Sequence, residues 1–524
     1  MVKFKKINDV MWEVEKTGKM NVPIVFFASE KLLESIKKDN TVKQAMNMAS
    51  LPGVLKNIVV CPDAHQGYGA CIGGVSAFDL ETGVVSPGEI GYDINCSVRL
   101  LKTNLVEADL TPLDTEDRTG QVPLDTEDRT GQVPLDTEDR TGQGGRAREI
   151  VHSLFRAVPS GVGRGGKLKL SDKELDEVLV GGAQWAVEKG YGFDRDWKHI
   201  EDFGKLGGAN PDDVSGRAKG RGRGQLGSLG AGNHFLDVLV VDEVFDEKVA
   251  KVFGLEKGQV VILIHCGSRG LGHQVASDYI KLMDDEYGHP DFDRELVNAP
   301  IKSELGKKYL SAMACAANFA FANKQLITHW VREDMKHYFP DFKAEVVYDI
   351  CHNIAKFEEF DNVGLELGVG SLELGKGKTG SVRNRKRKVL VMRKGATRSF
   401  GPGRKEIPED YRKVGQPVLI PGSMGTSSYV LVGTKEAEEK SWGSTAHGAG
   451  RAMSRTEAKK KMSFEDAKKD MEKRGVFVEF GGQKGMVEES PFSYKDVDEV
   501  VRVSHDAGLG RKVVKLKPVL VVIG

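Results

Sequence analysis

The chain has 524 residues, too many for one small domain and enough to bury a large core. Lysine plus arginine (76) balance aspartate plus glutamate (76), which excludes a global basic field, so binding to nucleic acid must come from local patches. The 40% hydrophobic and 29% charged content suits a water-soluble globular protein.

The amino terminus, MVKFKKINDVMWEVEK, lacks an apolar core and a small-residue cleavage site, so no signal peptide is expected. No apolar run approaches the ~18 residues of a membrane span. The first strand signal is KNIVVCP (56–62). It runs into PDAHQGYGACIGG (62–74), which sets Asp63 and His65 at a strand end, where an acid can orient an imidazole. GYDINCSVR (91–99) follows, with Asp93 and Cys96 three positions apart behind a glycine. Cys96 alone can be a nucleophile, a metal ligand or an inert buried thiol, and the last is the commonest fate of a cysteine.

PLDTEDRTGQV then occurs at 112–122 and 123–133, and again at 134–143 without its final valine. Each copy carries a proline, a glycine and three acids, so the stretch is expected to be a solvated acidic loop insertion. Helical periodicity is clearest over 171–189 and in the Ala-rich 302–336. Further strands are expected over 258–268, 344–351, 387–395 and 416–423. Between them the Gly-rich 361–382 is expected to be a long hairpin or loop insertion. Strands and helices mix without a steady βαβ rhythm, which favours an α+β fold: mixed β-sheets flanked by helices.

Three histidines stand beside glycines or strand ends: His234 in LGAGNHFLD, His265 in VVILIHCGSRG and His352 in EVVYDICHN. Singly, each fits a hydrogen-bonded structural role. Together with Asp93 and Cys96 they form a transition-metal ligand set. Five ligands exceed one tetrahedral site, and two ions sharing a thiolate would use them better. His447, in GSTAHGAGRAMSR (443–455), is a candidate nucleophile toward phosphorus or a turn residue, and Arg451 can grip a phosphate. Basic runs at 216–224, 383–388 and 393–405 point to a polyphosphate or nucleic-acid backbone. The six cysteines, Cys61, Cys71, Cys96, Cys266, Cys315 and Cys351, form no CxxC pair, which suits a reducing, cytoplasmic setting.

Taken in order, PDAHQGYG, GYDINCSVR, LGAGNHF, HCGSRGLGHQVASDY, YDICHNIAK, RKGATRSFGPG, GQPVLIPGSMGTSSYVL and GSTAHGAGR resemble the RtcB family of tRNA-splicing RNA ligases. The likeness covers about residue 2 to the carboxyl terminus outside the two insertions, which implies one large catalytic domain over 1–524 around a central metal cleft. It implies a GTP- and Mn²⁺-dependent ligase that joins RNA 2′,3′-cyclic phosphate or 3′-phosphate ends to 5′-hydroxyl ends, as in tRNA splicing and RNA repair. His447 would take GMP from GTP, held by Asp63. Cys96 would bridge two Mn²⁺, with Asp93 and His234 on one ion and His265 and His352 on the other. GTP contacts carried over are Asn233, Phe235, Leu236, Asp237, His352, Asn353, Pro421, Gly422, Ser423, Met424, Ser428, His447, Gly448, Ala449, Gly450 and Tyr494, with Arg451 toward phosphate or RNA. The implied partners are tRNA exon halves and an activating protein such as an archease, and the implied state is a monomer off the membrane.

This chain departs from the family pattern at four places. Asp237 stands where the family usually has Glu, Ile523 where it has Lys, and Ala64 and Glu89 where it has Gly. The first two bear on GTP affinity and on preference over ATP. A cyclic phosphodiesterase that does not ligate, or an inactive RNA-end binder with an altered guanine pocket, are the alternatives.

Overall fold

The computed structural model describes residues 2–110, 145–161, 164–361 and 386–524. The 112–143 repeats, and all but the first residue of 361–382, lie outside the described residues. The fold is α+β, built on two large mixed sheets.

The first sheet has seven strands, in the order Lys5–Asn8, Met11–Val14, Ile24–Phe27, Ile58–His65, Ile72–Phe78, Lys386–Lys394 and Asn353–Asp361. Ile24–Phe27 and Ile58–His65 run parallel and the other pairs antiparallel. Asp361 pairs with Lys386, so the second Gly-rich stretch joins two neighbouring antiparallel strands.

The second sheet runs Ala344–Cys351, Ser97–Val106, Gln259–Cys266, Phe235–Val244, Arg511–Ile523, Ser428–Val432, Pro417–Ile420, with Phe477–Phe480 added parallel to Arg511–Ile523. Its central strands are apolar on both faces because both faces are covered. Val261 and Leu263 enter one hydrophobic core, whereas Val260, Ile262 and Ile264 enter another. The neighbouring strand divides the same way, with Leu239 and Val241 on the first side and Leu236, Val238 and Val240 on the second. Each such Val, Leu or Ile contributes about 1.5–3 kcal/mol relative to exposure. This alternation also decides which side chains reach the site.

The expected helices are present as Asp172–Glu188 and Glu304–Tyr338. The first starts at a capping box, with Ser171 accepting from the Glu174 N–H and Glu174 accepting from the Ser171 N–H. The second is 35 residues long and buries Ala312, Ala314, Ala316, Ala317, Ala320 and Ala322. Small side chains let neighbouring helices and the sheet approach it closely. The five strands expected from sequence all form, at Ile58–His65, Gln259–Cys266, Ala344–Cys351, Lys386–Lys394 and Pro417–Ile420. The glycine-rich basic run at 216–224 folds, against its composition, as the helix Gly216–Gly222, capped by Ser215. Among the described residues no helix is long and apolar enough to cross a membrane.

Candidate active site

Four adjacent strands of the second sheet end at one place. Ser97 pairs with Cys266 and with Cys351, and Phe235 pairs with His265. That register brings Cys96, His265, His352 and His234 together from positions up to 256 residues apart (352 − 96). The turn ahead of Cys96 is held by Asn95, at φ 52°, whose side chain donates to the Ala317 carbonyl and whose N–H donates to Asn353. Asn tolerates this left-handed conformation better than most residues. The Cys96 N–H closes the turn on the Asp93 carbonyl at 2.9 Å.

Two candidate ligand groups result, Asp93–Cys96–His234 and Cys96–His265–His352, and the thiol belongs to both. Cys96 Sγ lies 3.4 Å from His234 Nε2 and 3.2 Å from His265 Nε2. His265 Nε2 lies 3.3 Å from His352 Nε2, and His234 Nε2 lies 2.8 Å from Asp93 Oδ2. Two glycines make room. A Cβ on Gly230 would sit 1.8 Å from His234 Nδ1, and one on Gly267 would sit 2.3 Å from an Asp93 oxygen.

Burial pushes the Cys96 thiol up to about 12, with Asp93 adding to the effect. Burial also raises the Asp93 carboxyl, but His234 outweighs it and leaves it at about 2. Burial holds His265 and His352 well below the usual imidazole range, so both are neutral, as metal ligands must be. A divalent cation inverts this balance for the thiol, because a coordinating thiol loses its proton. The donor set therefore fits a pair of first-row divalent ions.

His447 follows the strand Ser444–Ala446 and its ring centroid lies 5.0 Å from that of His352. Its ring Nδ1 lies 2.5 Å and its main-chain N 3.0 Å from Asp63 Oδ2. Burial raises the Asp63 carboxyl, but the charge and hydrogen bonds of His447 outweigh it, and it stays ionised. Gly450, at φ 70°, packs against the Asp63 main chain, where a Cβ would lie 2.1 Å from the carbonyl oxygen.

Most of these groups face one cleft of about 1150 Å³, with His234 and Asp63 buried outside its lining. Asp93, Cys96, His265, His352 and His447 line it, as do Asn233, Phe235, Asp237, Asn353, Pro421, Gly422, Ser423, Met424, Gly448, Ala449, Gly450, Arg451, Tyr494 and Ile523. The 421–426 turn is closed by Thr426, whose hydroxyl accepts from the Ser423 N–H at 2.7 Å, and it is tied to the histidine loop by the Ala449 N–H on the Pro421 carbonyl.

A family model described as tRNA-splicing ligase RtcB matches residues 44–141 and 129–524. The chain belongs to the RtcB family. The two RtcB matches overlap at 129–141, inside the tandem repeats. The chain is 48% identical to the tRNA-splicing ligase RtcB of Archaeoglobus fulgidus, over 99% of this chain and 98% of the relative. It is 46% identical to that of Thermococcus kodakarensis, over 100% of this chain and 99% of the relative. It is likewise 46% identical to that of Nanoarchaeum equitans, over the full length of both.

Of the residues matched to RtcB nucleotide contacts, Leu236 and Ser428 stand outside the cleft lining, while Arg451 and Ile523 line it but are engaged by other side chains. Leu236 lies on the opposite face of its strand from Phe235 and Asp237, and its side chain fills the second core. Ser428 stands behind the loop, where its hydroxyl accepts from the Gly422 N–H at 3.1 Å. Arg451 lies over the Tyr494 ring at 5.1 Å and pairs with Glu489 at 3.3 Å. Ile523 packs in a cluster with Met424, Met471, Met486 and Val521.

The basic run at 393–405 is used mainly inside the protein. Arg393 pairs with Glu358 at 2.8 Å, and Arg398 faces Glu201 at 3.5 Å. Of that run, Lys394 and Gly395 line the cleft. Arg455, Glu489, Lys495, Lys38, Tyr68 and Tyr92 also line it. Sequence reasoning singled out none of these six as site residues, since an isolated Lys or Tyr carries no periodic or spacing signal.

Proposed function

We propose that the chain is an RNA ligase of tRNA splicing and RNA repair, which uses GTP and Mn²⁺ to join 2′,3′-cyclic phosphate or 3′-phosphate ends to 5′-hydroxyl ends. One observation carries this reading: a thiol common to two ligand triads lies one histidine away from an imidazole locked by a buried carboxylate. Asp93, Cys96 and His234 would hold one ion, and Cys96, His265 and His352 the other. Two divalent ions bound there supply charge neutralisation at phosphate and activation of an attacking oxygen.

Asp63 is ionised and can only accept, so His447 donates from Nδ1, and in its neutral form the ring carries its lone pair on Nε2. Nε2 is then free to attack the α-phosphorus of GTP, displacing pyrophosphate and forming a phosphoramidate. Transfer of GMP to the RNA 3′-phosphate regenerates the neutral imidazole. The 5′-hydroxyl then attacks that phosphate and GMP leaves. The 421–424 and 447–450 main chain, Asn233, Asn353, Asp237 and Tyr494 would hold the nucleotide, with Arg451 on the phosphate side.

The same reading takes 1–524 as one catalytic domain with insertions at 112–143 and about 361–382. It takes the protein as a cytoplasmic monomer that works on tRNA exon halves, with an activating protein of the archease kind. The test is incubation with α-labelled GTP and Mn²⁺, then denaturing electrophoresis. Label is expected on the intact chain and absent from His447→Ala. Opening of cyclic phosphate without any label would make the chain a phosphodiesterase, and RNA binding without either activity would make it an inactive relative.

A further inference from the structure

Three rings from three separate elements meet beside the cleft, with Tyr92 stacked on His273 and Tyr68 tilted against Tyr92. Tyr68 comes from the loop after Ile58–His65, Tyr92 from the turn before Cys96, and His273 from the helix Arg269–Tyr287. Tyr92 is the middle rung. Its ring is 4.7 Å from His273 with an interplanar angle of 24°, and 5.1 Å from Tyr68 with an angle of 55°. Tyr68 and Tyr92 line the cleft, and both are half-buried, with Tyr92 next in sequence to Asp93.

The ladder is held in place from behind. Gln44 brackets Gly67, accepting from its N–H at 3.0 Å and donating to its carbonyl at 2.7 Å. The Gly69 N–H donates to Glu295 at 2.7 Å, and Lys394 donates to the Tyr68 carbonyl. Gly69 has φ 65°, and a Cβ there would lie 2.7 Å from the Glu295 carbonyl oxygen, so the loop has little freedom to change. A preset aromatic surface loses little entropy on binding.

The charges around it suit a phosphodiester chain. Lys38 and Lys394 line the same cleft, alongside Asp39. Aromatic faces beside cations are how proteins hold unpaired nucleotides, because every base has a π face. The proposed reaction itself gives these rings no role.

From this geometry we infer that Tyr68, backed by Tyr92 and His273, is a stacking platform for the unpaired base of an RNA end at the metal cleft. This rests on the ligase reading for its occupant, but the two can fail separately. The platform serves any base, so it favours a single-stranded end over a paired one without selecting its sequence.

The test uses the full chain with Mn²⁺ and a fluorescent single-stranded RNA carrying a 5′-hydroxyl, either intact or abasic at its terminal nucleotide. The wild-type chain should bind the abasic RNA about tenfold more weakly. Tyr68→Leu should bind intact RNA about tenfold more weakly and lose nothing further with abasic RNA, while Tyr68→Phe keeps wild-type behaviour. Equal wild-type affinity for the two RNAs overturns the platform, and does so even if Tyr68→Leu fails to fold. So does a Tyr68→Leu loss that is the same for both RNAs. Guanylation of the wild-type chain, measured separately, reports on the ligase reading: its absence would overturn that reading and leave a stacking difference intact.

Discussion

A single carboxylate oxygen of Asp63 takes both the main-chain N–H and the ring Nδ1–H of His447. The pair spans 384 residues of sequence and fixes loop position, ring orientation and tautomer together. Asp63→Asn keeps an acceptor but loses the charge that selects the tautomer. Guanylation from α-labelled GTP should fall by about 10³–10⁴-fold, by the logic of a histidine left in the wrong tautomer. Metal content, read by elemental analysis, should be unchanged. Loss of metal as well would mean that Asp63 supports the whole cleft and not the one ring.

Cys96 is common to both ligand groups, whereas each histidine belongs to one. Cys96→Ala should therefore remove two equivalents of Mn²⁺ together, while His234→Ala and His265→Ala each remove about one. His447→Ala should keep both, since it lies beyond the ligand groups. Equilibrium dialysis with elemental analysis separates these cases. Full occupancy in Cys96→Ala would end the bridging assignment.

Much of this site was legible in sequence because its residues sit in long polar, glycine-rich motifs at strand ends. Strand-end residues face a cleft, and the β-branched runs before His265 and His352 marked those strands. What could not be read was depth and sidedness. Phe235, Leu236 and Asp237 look alike as a motif, yet the period-2 pleat sends Leu236 into the second core. Arg393 and Arg398 read as a basic surface, but their acids, Glu358 and Glu201, arrive from elsewhere in the chain. The strand Arg511–Ile523, central to the second sheet, mixes Lys, Pro and Val and gave no clear signal before its partners were known.

Gly267 shows a requirement that no motif spacing expresses. It ligates nothing, yet a Cβ there meets both Asp93 oxygens, at 2.3 and 2.5 Å. Gly267→Ala should displace that carboxylate and weaken the Asp93–His234 ion at least tenfold, leaving the His265–His352 ion in place. Mn²⁺ titration with two resolved binding steps is the measurement. Unchanged affinity at both steps would show that Asp93 can swing aside.

Glu89 is buried, and burial pushes its carboxyl up to about 8, with Ser76 and Lys394 pulling the other way. Below the usual carboxyl range both folded and unfolded chains are protonated, and the group is silent. Between that range and about pH 8 the unfolded chain ionises first, so stability falls as pH rises, and the loss is complete above the folded value. Glu89→Gln removes this slope. Its unfolding free energy, from denaturant titrations, should match wild type near pH 4 and exceed it increasingly toward pH 9, by an amount on the order of a few kcal/mol. A difference that stays flat with pH would mean that Glu89 finds a charge partner when ionised.

Asp237 stands on the cleft side of its strand, 4% exposed, with one oxygen lacking any hydrogen-bond partner among the described residues. Burial alone pushes its carboxyl well above the usual range. Its neighbours across the two strand pairs are both apolar, Val521 and Leu263. An unsatisfied buried group of this kind costs about 1–3 kcal/mol, and it persists here beside a cleft that would hold a nucleotide base. Asp237→Leu is close in shape and needs no partner. It should raise the melting temperature of the nucleotide-free chain and, in the same variant, lower the preference for GTP over ATP in histidine labelling by tenfold or more. The two effects have opposite sign because one carboxyl is a liability when the cleft is empty and a recognition group when it is filled. A stabilised variant with unchanged nucleotide preference would place base recognition elsewhere in the cleft.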